Sequence, residues 1–222
     1  MNVNMKNNWY SPAYIIHMEA ELVKIYGQQV VDRDTHNFGK VGEMKCAAIM
    51  LLALHKAQRH YFFMQASRDR FPDVWTLYQE EATGKNVDTK YQTVEVITYG
   101  TYSDGDVGDF ILEHKLINPK KSYDVETIIL CYIRKKGTFI DFHKLNNKLK
   151  QHKFSPSRVF IIGNILGNEN IFTLTQVWPI VHSEAVDYVE RTKSYPLSHR
   201  MSFKKGVPKK SKLCNEWTEN SN

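Results

Sequence analysis

Apolar residues recur along this chain with two periods, and the change of period marks its elements. Over Gly42–Ala57 they continue most of the way round a helical wheel, through the run Ala47-Ala48-Ile49-Met50-Leu51-Leu52-Ala53-Leu54, which predicts a buried helix. Upstream, Met18–Val31 has helical spacing with Leu22, Ile25 and Tyr26 on one face. Residues 1–17 are Asn-rich and aromatic and read as an arm or cap, and Asp32–Lys40 is polar and loop-like. Downstream the pattern becomes β-branched and aromatic. Tyr61–Met64, Val74–Tyr78 and Tyr91–Tyr99 read as three successive strands, with turns at Arg68–Arg70 and Glu80–Asn86.

Helices and strands then alternate. Val107–Leu116 reads as a helix, entered through Ser103-Asp104, either of which offers a capping side chain. Thr127–Ile133 is apolar throughout, as in a strand covered on both faces. Asp141–Gln151 is an amphipathic helix with Phe142, Leu145 and Leu149 inward and Lys144, Lys148 and Lys150 largely off that stripe. Arg158–Ile162 and Ile171–Trp178 are further strands, the latter closed by Pro179, and Ser183–Thr192 reads as a short helix. No internal repeat is present, and apolar periodicity is lost from about residue 198. Three strands with short connections imply an antiparallel meander, and two crossovers through helices imply parallel neighbours. The expected class is therefore α/β, a mixed central sheet with helices on both faces. The expected organisation is an N-terminal arm and helix (1–41), an α/β domain (42–197) and a basic, flexible tail (198–222).

Composition narrows the class. With 222 residues and 42% hydrophobic content, one domain with appendages can bury a core. No segment offers the roughly 20 apolar residues of a membrane span, and the N-terminus lacks the apolar core of a signal peptide. No membrane partner is expected. Cys46, Cys131 and Cys214 have no metal-like spacing, and the first two lie in a helical and a strand-like run, as buried free thiols do. A reducing, cytoplasmic compartment is the expectation.

The net charge of +6 is unevenly placed. Residues 134–158 carry eight Lys/Arg against one acid, and residues 200–222 carry six against two. That asymmetry suits a polyanion gripped by one face, with Lys144, Lys148 and Lys150 on the helix and Lys204, Lys205, Lys209 and Lys210 in the tail contacting phosphates. The plain alternative is a solvated helix face plus a disordered tail.

Two acids stand out for chemistry. Pro72-Asp73 opens the second strand of the meander, and Glu95 lies inside the third. An Asp and a Glu at one end of a sheet can bind a divalent cation, as at the centre of a phosphodiesterase. Plain alternatives stand beside them: Asp73 satisfying backbone amides at a strand entrance, and Glu43 as a first-turn helix acid favoured by the dipole. Glu95 is harder to explain away, because a carboxylate among Val94, Val96 and Ile97 needs a partner or a metal. Asp104–Asp109 resembles a calcium loop only superficially, lacking the distal Glu, so helix capping is preferred. Gly163–Asn168 reads as a turn. The nine histidines show no HxH or HExxH spacing, and His55 and His60 read as structural.

The order of these elements, with Glu43 on the first long helix, Pro72-Asp73 at the second strand and Glu95 in the third, resembles the PD-(D/E)XK nuclease superfamily. That group includes restriction endonucleases, Holliday-junction resolvases and repair and defence nucleases. The resemblance covers roughly residues 42–163. It implies a restriction-endonuclease-like core, with Asp73 and Glu95 as catalytic acids and Mg²⁺ (or Mn²⁺) ligands. Glu43 would be a further ligand, directly or through water, and Val96 would lend a backbone carbonyl. Nucleic acid, DNA foremost, is the implied partner, and a homodimer is an open assembly. The sequence departs from the pattern where the family carries its Lys, at Ile97. Glu95 and Ile97 share a strand face while Thr98 points away, so Thr98 cannot replace that Lys. Lys40, Lys45, Lys90 and Lys115 are the basic residues that could. Without one, the fold would be a catalytically degenerate module that binds nucleic acid or a protein partner without cleavage. A third reading is an assembly subunit anchored by Trp9, Tyr10 and Tyr14.

Overall fold

The first helix starts earlier than its spacing suggests, because Ser11 caps it. The Ser11 hydroxyl accepts from Tyr14 N at 3.1 Å, Pro12 occupies the first turn, and helix α1 runs Pro12–Tyr26 until Gly27 breaks it at φ +83°. Strand β1 (Trp9–Tyr10) precedes it, and helices α2 (Gln28–Arg33) and α3 (Val41–Gln58) follow. The computed structural model describes residues 9–33, 40–58, 60–67, 72–80, 88–117, 123–165, 168–195, 200–202 and 218–219. The chain divides into two compact units, Met1–Gln92 with Val189–Asn222, and Thr93–Tyr188.

In the first unit α1 packs on α3, and its Ala13, Ile15, Ile16 and Leu22 are buried, whereas Ile25 and Tyr26 are exposed. The expected stripe was thus right at Leu22 and wrong at its C-terminal end. The inward position between them belongs to Glu19, whose carboxylate meets Lys45 of α3 at 2.8 Å. The apolar run Ala47–Leu54 is buried throughout, as its lack of a polar face requires. Strands β2 (Tyr61–Ala66) and β3 (Val74–Glu80) pair antiparallel with Phe63 opposite Leu77. Beyond β3 comes the first part of β4 (Asp88–Tyr99), where Thr76 Oγ1 donates to Gln92 O at 3.2 Å. On its other side β2 pairs with β1, and β1 pairs with β9 (Arg200–Ser202), which pairs with β10 (Thr218–Glu219), all antiparallel. The expected tail thus contributes strands. Backbone pairing at an edge asks for no apolar periodicity, so the pattern carried no sign of it. The Tyr195 hydroxyl ties the end of helix α6 (Tyr188–Lys193) to β2, donating to Phe62 O at 2.7 Å.

The second unit holds the later part of β4 with β5 (Thr127–Ile133), β6 (Arg158–Ile165), β7 (Asn168–Trp178) and β8 (His182–Asp187), in that order. β4–β5 and β5–β6 are parallel, and β6–β7 and β7–β8 antiparallel, the mixed sheet of an α/β fold. The two crossovers run through α4 (Val107–Ile111), which widens into a π-helical turn (Leu112–Leu116), and α5 (Phe142–Leu149). Both pack on one face, where Ile97, Ile129, Cys131, Val159 and Ile161 meet Val107, Ile111, Leu112, Leu116, Leu145 and Leu149. Successive crossovers of one hand, advancing in one direction, leave their helices on the same side. These two crossover helices therefore share one face of the second unit's strands. Asp106 caps α4, accepting from Gly108 N at 2.8 Å and Asp109 N at 3.2 Å, in place of Ser103 or Asp104. Asp141 caps α5, accepting from Lys144 N at 2.9 Å. Ser183–Asp187 lies in strand β8 rather than a helix, because pairing with β7, Leu174 opposite Glu184, overrides the helical preference of Glu and Ala. No helix among the described residues is long and apolar enough to cross a membrane.

The inward face of α1 can be read by substitution. Leu22→Ala removes a buried side chain and should cost about 2–5 kcal/mol in urea denaturation. Ile25→Ala, at an exposed position, should change stability by about 0.5 kcal/mol or less. Equal destabilisation at both positions would contradict this packing of α1.

Candidate active site

Asp73 sits immediately before β3, in the turn where Ser67 N donates to Asp73 O at 3.0 Å. That position makes it a buried side chain at the mouth of a strand. Lys40, just ahead of α3, reaches it: Nζ lies 2.8 Å from Asp73 Oδ1. The same ammonium lies 3.9 Å from Glu43 Oε2, one helical turn on. Glu43 is indeed a first-turn acid of α3, so the dipole reading of that residue stands. It also turns toward the cation that Asp73 holds. Two of the sequence-derived ligands, Glu43 and Asp73, are thus drawn together around one positive centre in the first unit.

In the second unit Glu95 lies within β4, opposite Ile129 on parallel β5. Its side chain is 1% exposed. Ile97, on the same face, enters the apolar cluster under α4 and α5. A Lys at position 97 would bury its charge among these side chains. The cation comes instead from the helix covering that face: Lys115 Nζ donates to Glu95 Oε1 at 2.5 Å. Lys115 belongs to the π-helical turn, which Ile117 N closes onto Leu112 O at 2.7 Å. Such turns shift the phase of a helix by one residue and recur at functional sites. Below Glu95 the face turns polar, with Thr93 Oγ1 donating to Thr127 Oγ1 at 3.0 Å and Thr127 Oγ1 to Asp124 Oδ1 at 3.0 Å. Val96 aligns with Leu130, and its buried side chain points to the opposite face.

Of the four lysines proposed to stand in for the one missing at Ile97, Lys40 lands on Asp73 and Lys115 on Glu95. Lys45 is committed to Glu19, and Lys90 is exposed. Glu19 was missed, although an acid on the stripe of Ile15, Ile16 and Leu22 was its signal. Among the described residues no group of three or more His, Cys, Asp or Glu gathers as a metal site. Mg²⁺ commonly takes only one or two carboxylates and completes its shell with water and substrate phosphate, so the oxygen donors Asp73 and Glu43 fit that ion in kind.

The basic helix presents Lys144 and Lys150 to solvent. Lys148 is held by two carboxylates, Asp109 and, at 3.5 Å, Asp106. The hydrogen bond from Lys148 to Asp109 raises the lysine's pKa above its usual range, so it stays charged but already neutralised. Lys204, Lys205, Lys209 and Lys210 lie outside the described residues. Cys46 and Cys131 are buried free thiols, as expected, and burial pushes the Cys131 thiol up to about 12. Cys214 lies outside the described residues. No protein-family model, curated protein or solved structure matches the chain.

The buried pair and the buried thiol can each be probed in solution. Lys115→Met leaves the buried Glu95 carboxylate without this counter-ion and should cost about 3–5 kcal/mol in urea denaturation, most of it recovered by Lys115→Met with Glu95→Leu. A single-variant cost below about 1 kcal/mol would mean the pair is solvated rather than buried. Cys131 should resist iodoacetamide at pH 8 in the native protein and react once unfolded, read by peptide mass spectrometry.

Proposed function

We propose that the protein is a nuclease-like enzyme that hydrolyses phosphodiesters in nucleic acid, DNA foremost, with Mg²⁺ or Mn²⁺. The observation that carries this reading is the Lys115 ammonium on the buried Glu95 carboxylate. It supports the reading by bringing a basic residue from the neighbouring helix to the acid two residues before Ile97, where the superfamily pattern has its Lys. Asp73 and Glu43, already facing one cation, supply hard oxygen donors. The resemblance also names Glu95 and the Val96 carbonyl as ligands. When bound, the ion supplies a water of lowered pKa and neutralises charge at the phosphate. The residues of the chain would do the rest: the carboxylates would hold the ion, Lys115 fixes the Glu95 carboxylate, and Lys40 balances the charge of Asp73.

A second reading has its own observation. Each candidate acid has a lysine counter-ion, and such pairs hold a fold together with no chemistry. The chain would then be a nuclease-derived module that binds nucleic acid without turnover.

The two readings separate in one assay. Purified protein incubated with plasmid, single-stranded DNA and RNA should cleave with Mg²⁺ or Mn²⁺ and stop on chelation. Asp73→Ala and Glu95→Ala should each lower the rate by about a hundredfold or more. Lys115→Met should do the same in a protein that still folds, and Lys90→Ala should not. Binding without turnover in the wild type selects the second reading, and cleavage that survives the Asp73→Ala, Glu95→Ala double variant removes both acids from the chemistry.

A further inference from the structure

Two large aromatic side chains of the second unit serve no core. Tyr102 is 97% exposed and Phe139 91%. They stand on the two loops that leave the carboxyl ends of the parallel strands β4 and β5, the rim where open α/β sheets take their ligands. Arg134 N and Lys135 N both donate to Tyr99 O, at 2.9 and 3.2 Å. Lys135 Nζ donates to Ser103 O at 2.8 Å and lies 5.6 Å from the Tyr99 ring centroid. Gly100 N donates to Ser103 Oγ at 3.0 Å, and Thr138 Oγ1 to Lys135 O at 2.7 Å. The loop carrying Tyr102 and the loop carrying Phe139 are therefore stitched to one another.

The loop that carries Phe139 is also basic. Arg134, Lys135 and Lys136 are consecutive, and Arg134 and Lys136 are exposed. Of the acids on the same loops, Asp106 caps α4 and faces Lys148, Asp141 caps α5, and Asp104 is exposed. Exposed rings on loops tied to one another, with cations on the same loops, are the combination by which proteins hold single strands, bases stacking on aromatic faces while phosphates meet Lys and Arg. A duplex covers its base faces with neighbouring pairs, and Phe139 has no group that reads a base edge.

We propose that this rim, Tyr102 and Phe139 with Arg134 and Lys136, binds single-stranded nucleic acid by stacking unpaired bases. The inference rests on nucleic acid as the partner, not on the cleavage chemistry.

The test is fluorescence anisotropy with a labelled oligothymidylate of about twenty nucleotides and a duplex of the same length, in the presence of a chelator. The wild type should bind the single strand more tightly. Tyr102→Ala and Phe139→Ala should each weaken that binding by about tenfold or more and leave duplex binding unchanged. Phe139→Trp should retain it. Arg134→Gln with Lys136→Gln should flatten the dependence of log affinity on log salt by about 0.7 for each phosphate no longer neutralised. Both rings are exposed, so the variants should keep the wild-type circular dichroism. Single-strand binding indifferent to Tyr102→Ala with Phe139→Ala overturns the proposal, as does a wild type that binds no oligonucleotide. Altered mass in light scattering with unaltered oligonucleotide binding also overturns it and makes the rim a protein interface. Ring-dependent binding without any cleavage supports this rim while refuting the nuclease reading. Cleavage with binding indifferent to the rings does the reverse.

Discussion

The second unit is arranged around one buried charge. A carboxylate at 1% exposure on a face otherwise given to Ile97, Ile129 and Cys131 cannot stand without compensation. Two constraints follow. The element covering that face has to bring a cation, and it has to bring it at the edge of the apolar cluster so that the ammonium keeps some water. Lys115 meets both: it follows Leu112 in the π-helical turn, its neighbour Leu116 goes to the core, and its own side chain remains 16% exposed. The apolar cluster and the ion pair are thus two ends of one packed face.

The first unit solves a similar problem in two places. Glu19 and Lys45 meet where α1 packs on α3, a pair whose acid is almost wholly enclosed. Lys40, Glu43 and Asp73 meet where α3 begins, and there Glu43 is 40% exposed on its side chain. The difference bears on exchange. Lys40 and Lys45 are about equally exposed, at 23% and 22%, so the difference lies in the acids: Glu19 is enclosed at 6%, whereas Glu43 beside Asp73 is open to solvent. If either carboxylate site of this unit takes a metal, physical access favours Asp73 with Glu43.

Periodicity made most of this fold legible. The buried α3, the parallel β4, β5 and β6 and the amphipathic α5 follow from runs whose period admits one answer. What escaped depended on partners distant in sequence. β8 carries good helix formers and is a strand because β7 lies beside it. Arg200–Ser202 has no pattern and is a strand because β1 offers an edge. At the site, Asp73 and Glu95 were conspicuous as acids beside apolar strands. The lysines that meet them were not, since four were equally near and only the packing of α3 and α4 distinguishes them. Tyr102 and Phe139 left no signal either, because an aromatic between strand and helix reads as core until its exposure is seen.

Charge depends on packing in the same way. Counting lysines and arginines over residues 134–158 treats every cation alike, but the structure sorts them. Lys148 faces Asp106 and Asp109, and Lys135 caps a carbonyl and lies over Tyr99, so both serve internal structure. Lys136, Lys144, Lys150 and Lys153 are exposed. A polyanion is attracted by the whole field but is held by cations whose hydration it can replace. Lys136 shares its loop with the exposed ring of Phe139, whereas Lys144 and Lys150 lie on and beside a helix whose aromatic, Phe142, packs against the core. If nucleic acid is the partner, as proposed, cations beside exposed rings would add selectivity for unpaired bases and the remaining cations affinity alone, so the two would belong to different parts of one basic segment.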